Sequence, residues 1–98
     1  MDTVTNVRRN AHDTEIEAAE YIEPSTQTLR NRVYELFSFF GPMTDEELMD
    51  RYIAKYGHIY KNSLEPRRTE LTNEGLIVKT TLRRPGRSGV NRIVWMAV

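Results

Sequence analysis

The sequence predicts an α+β fold: a three-helix bundle followed by a C-terminal β-hairpin. Three observations predict it. Apolar residues recur at helical spacing along 26–40 and again, more sparsely, along 45–56 and 63–74. Capping residues and glycines bound those segments. From Leu76 onward the period changes to two, with β-branched residues on either side of a Pro/Gly turn. The chain of 98 residues is the size of one domain, and 39% hydrophobic with 29% charged residues is a globular balance with a modest core.

Residues 1–24 read as an acidic, flexible N-terminal arm ahead of a domain at 25–98. They hold two Arg and six acidic residues, a net charge of −4. Ile16, Ala19 and Ile22 make a thin stripe over 14–22, too short for a stable helix alone. After Pro24, residues Leu29, Val33, Leu36, Phe37 and Phe40 form one wide apolar face of a helix over about 26–40. Ser25, Thr26 and Thr28 are its candidate N-caps, and Gly41-Pro42 stops it.

The second helix, about 45–56, has the clearest start signal. Thr44 and Glu47 have the spacing of a capping box, flanked by Met43 and Leu48 as a hydrophobic staple. Asp45, Glu46 and Glu47 suit the positive end of the helix dipole. This helix is expected to bury Leu48 and Tyr52, with Ile53 and Tyr56 beside them, and to end at Gly57. A third helix follows from an N-cap at Ser63 to about Glu74, with Pro66 in the tolerant first turn, Leu64 and Leu71 inward, and Gly75 then Leu76 as stop and anchor. Leu76–Leu82 and Val90–Met96 are the strands, and 83–89 is the turn between them.

Several function classes are excluded or disfavoured. There is no cysteine, hence no disulfide framework and no thiolate chemistry. His12 and His58 lack metal-ligand spacing and an evident nucleophile partner, so neither an enzyme nor a cofactor is expected. No run is apolar enough for a membrane span and no leader is evident, so the cytoplasm is the expected location. Gly86-Arg87-Ser88-Gly89 matches the GXXG loop of KH domains, but that loop joins helices and this one joins strands. It is not a phosphate-binding P-loop either, because no GK[ST] opens a following helix.

Charge is distributed unevenly. Residues 1–56 carry −5 and residues 57–98 carry +5. That split suits a C-terminal half that meets a polyanion, and equally suits internal charge complementarity. Arg83, Arg84, Arg87 and Arg92 lie within ten residues, with no acidic residue from Lys79 to the end, and are expected to form a cationic projection.

The segment from Ser63 to Ile77, with Arg67-Arg68, Glu70-Leu71 and Gly75-Leu76-Ile77, resembles the helix-to-strand passage of small winged helix-turn-helix proteins encoded by phages and mobile elements. Gly86-Arg87-Ser88-Gly89 and Val94-Trp95 resemble their wing and final strand, and the likeness covers about residues 26–97. It implies double-stranded DNA binding by a transcriptional or recombination regulator, in the host cytoplasm if phage-encoded. In that family the third helix enters the major groove and the wing reaches the flanking backbone or minor groove. The alternative it leaves is a protein-interaction module that binds an acidic or host protein partner, and a homodimer is compatible with either.

A helical projection with Leu64 and Leu71 inward places Pro66, Thr69 and Asn73 outward, Arg67 on a flank and Arg68 beside the core. The expected DNA contacts are Tyr60, Lys61, Asn62, Ser63, Arg67 and Thr69 around the helix, and Arg83, Arg84, Arg87 and Arg92 on the wing. Arg68 has a structural alternative, pairing with a carboxylate of the first or second helix. Glu65 would repel phosphate unless it accepts from a cytosine amino group. Neutralising about four to six phosphates would give a log K against log salt slope near −4 to −5. An acidic arm that gates the wing would release it on deletion of residues 1–22.

Overall fold

The computed structural model describes residues 21–98. The expected order is present: α1 (Thr26–Phe40), α2 (Asp45–Tyr56), α3 (Glu65–Asn73), then β1 (Ile77–Pro85) and β2 (Asn91–Ala97) as an antiparallel pair. Residues 14–20 of the thin apolar stripe, with the rest of the arm up to residue 20, lie outside the described residues, while Tyr21 and Ile22 are not helical.

Local chemistry accounts for the helix boundaries. The Ser25 hydroxyl accepts from the Thr28 amide at 3.1 Å, and α1 ends at Gly41, whose φ of 84° is open to glycine at little cost. The capping box of α2 is complete: Thr44 Oγ1 accepts from the Glu47 amide at 3.1 Å, and Glu47 Oε1 accepts from the Thr44 amide at 3.0 Å. The third helix differs from expectation. Its N-cap is Leu64, which supplies no side-chain cap, and the Ser63 hydroxyl donates to Glu23 Oε1 at 2.5 Å. Pro66 in the first turn removes one amide that would otherwise lack a partner.

Leu29, Val33, Leu36 and Phe37 of α1, Leu48 and Tyr52 of α2, Leu71 of α3, and Met43, Ile59, Leu64 and Ile77 build one core. Phe40 and Ile53, expected on inward faces, are exposed, since each sits at the margin of its stripe. The hydrophobic anchor after α3 is Ile77, fully buried, and Leu76 is exposed. Tyr21 also packs against the core, with its ring edge-on to His58 and Tyr60 at 4.7 and 5.2 Å between centroids.

The hairpin departs from its expected form in two ways. First, Arg83, Arg84 and Pro85 are strand, not turn: they pair with Ile93, Arg92 and Asn91, so the tip is only 86–90. Between Lys79↔Trp95 and Arg83↔Ile93, three β1 residues stand opposite Val94 alone. Thr80 bridges this bulge by donating to the Val94 carbonyl at 2.7 Å and accepting from the Leu82 amide at 3.1 Å. Second, Met43 exchanges both backbone hydrogen bonds with Trp95, at 2.9 and 2.8 Å. One residue of the α1–α2 connection thereby occupies an edge of β2 and fixes the hairpin to the helices.

Candidate functional site

The outer face of α3 is open. Glu65, Pro66, Thr69 and Asn73 are exposed, as are Lys61 and Asn62 ahead of the helix. These are the positions that helical projection places outward. Lys61, Asn62 and Glu65 line an open groove with Asp45 and Glu46 of α2, and Arg87 of the hairpin tip closes its far side.

Arg68 is structural. Its Nε and Nη2 donate to the two Asp45 oxygens at 2.9 and 2.8 Å, and its guanidinium lies 3.8 Å from the centre of the Trp95 ring. One side chain therefore ties α3 to the start of α2 and to β2. Arg67, placed on a flank by the helical projection, is turned into the fold. It is mostly buried and donates to Glu70 at 2.9 Å, on the seam where Arg30 of α1 meets Glu70 and Glu74. Ser63 is held by Glu23, as above. Tyr60 is half exposed, with its ring on Tyr21 and His58, so it is both packing and accessible surface. Of the contacts expected around the helix, Lys61, Asn62 and Thr69 stand open with Tyr60, whereas Ser63 and Arg67 are engaged within the fold.

The expected cationic projection is the largest correction. Arg84 Nη1 donates to Glu47 Oε1 at 2.5 Å, sharing the oxygen that caps α2. Arg87 Nη2 donates to Asp50 at 2.6 Å, and the Arg87 backbone amide donates to Glu46 Oε1 at 3.0 Å. Arg92 Nε lies 3.6 Å from Glu46 Oε2. Three of the four wing arginines therefore lean on the acidic first turns of α2. The hydrogen bond and charge of Asp50, with a smaller contribution from Glu46, hold the Arg87 guanidinium above its ordinary pKa. Only Arg83 differs: it donates to the carbonyls of Thr80 and Leu82 and has no carboxylate partner among the described residues.

The physical reason is proximity combined with opposite charge. Pairing Arg84 opposite Arg92 puts two guanidiniums side by side, and the Met43–Trp95 bridge brings them over α2. The −5/+5 split was the signal for this arrangement. It shows up as internal complementarity across the hairpin.

Among the described residues no group of three or more His, Asp or Glu side chains could hold a metal ion, and no helix is long and apolar enough to cross a membrane. No protein-family model, curated protein or solved structure matches the chain.

Proposed function

We propose that this protein binds double-stranded DNA, with α3 entering the major groove and the hairpin lying along the flanking backbone. The observation that carries this reading is the uncovered outer face of α3, bearing Thr69 and Asn73 with Asn62 just ahead of it, beside a hairpin whose arginines keep access to solvent. Amide and hydroxyl side chains at those positions suit base edges and phosphates. Arg87, Arg92 and Arg84 remain 67%, 48% and 43% exposed while paired. Ion pairs this open to water contribute little net stability, so phosphate can replace the carboxylates. The action is binding, without catalysis, and a transcriptional or recombination role follows from the resemblance noted above.

The test is fluorescence anisotropy on a random duplex across 50–200 mM salt. Binding that weakens with salt is expected, and Arg83→Ala/Arg84→Ala/Arg87→Ala should bind less tightly with a shallower slope. A wild type that ignores duplex at the lowest salt refutes the reading.

A second reading has its own support. The outward face of α3 carries Glu65 and neither Arg nor Lys, and three wing arginines are already paired. This pattern fits a protein-interaction module whose partner meets α3. Absence of duplex binding, with Thr69→Arg abolishing a captured protein contact, would favour it.

A further inference from the structure

The contact between hairpin and α2 is built for close approach. Glu46 uses both oxygens on the hairpin: Oε1 takes the Arg87 amide and Oε2 faces Arg92. Gly86 makes room for it, because a Cβ there would lie 2.7 Å from Glu46 Oε2 and 3.1 Å from Arg92 Nε. Asp50, one turn along α2, takes the Arg87 guanidinium. Each carboxylate presents to an arginine the same kind of oxygen that a phosphate would.

We propose that the first turns of α2 form an autoinhibitory clasp: Glu46 and Asp50 hold Arg87 and Arg92 as phosphate stand-ins, and a DNA duplex binds fully only by exchanging phosphate for carboxylate at those guanidiniums. The proposal rests on the DNA-binding reading and names its regulation. With the clasp closed, neutralisation by Lys61 and Arg83, two exposed cations without a carboxylate partner among the described residues, corresponds to a salt slope of about −1.8. Releasing Arg87 and Arg92 raises the number of neutralised phosphates to four, for a slope of about −3.6.

The experiment compares the full-length wild type with Glu46→Gln/Asp50→Asn on a 20-base-pair random duplex, by anisotropy at 50–200 mM salt. Glu47 is left intact because it caps α2. The clasp variant is expected to bind about 10-fold more tightly at 100 mM salt, with the steeper slope. Glu35→Gln/Glu74→Gln removes the same charge away from the hairpin and is expected to change affinity less than about 3-fold. Gly86→Ala displaces Glu46 without altering charge and should tighten binding in the same direction, by about 3-fold, which keeps the test valid if the double variant folds poorly.

Tighter duplex binding by both clasp variants than by a wild type that itself binds, with the steeper slope, supports both the clasp and the DNA reading. A wild type that binds with the same affinity and slope as both clasp variants overturns the clasp and leaves the DNA reading standing. Equal tightening by the Glu35/Glu74 control also overturns the clasp, since net charge then accounts for the effect. If no protein binds duplex at 50 mM salt, the DNA reading falls and the clasp falls with it.

Discussion

The Arg68 side chain lies beside the core of α3, where its donors face Asp45 and its plane covers Trp95. Arg68 is 8% exposed, so loss of the guanidinium leaves a desolvated carboxylate on α2 and a bared indole face. Arg68→Ala should lose about 2–3 kcal/mol in urea unfolding, reduced from the fully buried case because Asp45 is one-third exposed. Tyr21 gives the opposite expectation. Its hydroxyl is buried without a hydrogen-bond partner, so Tyr21→Phe should match the wild type or exceed it by up to about 1 kcal/mol. Burial, then the Glu23 carboxylate, raises the Tyr21 phenol above its ordinary pKa. A raised folded value stabilises the fold fully below about pH 10, and that stabilisation is lost as pH rises through the folded value. Phenolate absorbance at 295 nm should therefore include a late phase that Tyr21→Phe removes. Sequence spacing placed Arg68 beside the core, because helical projection reports direction. It could not name Trp95, which is 27 positions along the chain.

At the scale of elements, α2 has two loads. Its capping box closes its own first turn, and Glu47 Oε1 also receives Arg84 of the hairpin. Thr44→Ala removes one half of the box and should cost about 1 kcal/mol, or roughly 4–8 °C in melting temperature, read by circular dichroism. The box was legible in Thr44-Asp45-Glu46-Glu47 because it acts over three residues. The same is true of Ser25 before α1 and of Gly41 after it. The hairpin was legible as two β-branched runs around a Pro/Gly stretch, but its length was not. Arg83, Arg84 and Pro85 have turn-like composition, and they extend β1 because β2 offers Ile93, Arg92 and Asn91 as partners. The start of α3 likewise went to Leu64, one residue beyond Ser63, whose hydroxyl reaches Glu23 from 40 positions away.

Across the whole molecule, residues 21–98 carry twelve Lys/Arg against nine Asp/Glu, and residues 1–20 carry two against five. Deleting residues 1–20 keeps Tyr21 in its seat and removes net negative charge, so polyanion binding should tighten at low salt and converge with the full chain as salt rises. Equal affinities at 50 mM would mean that those residues do not oppose binding. The element order, the N-caps of α1 and α2, most of the apolar faces and the outward set Pro66, Thr69 and Asn73 could be deduced from residue order, because each depends on neighbours within about one or two helical turns. The fate of the arginines could not. Whether Arg84, Arg87 and Arg92 project into solvent or lean on Glu47, Asp50 and Glu46 depends on where the hairpin lands relative to α2, across separations of 37 to 46 residues. That landing is set by the Met43–Trp95 bridge and by the close approach at Gly86. A charge count records that opposite charges exist, while the interaction depends on distance, and only the packed chain defines the distance.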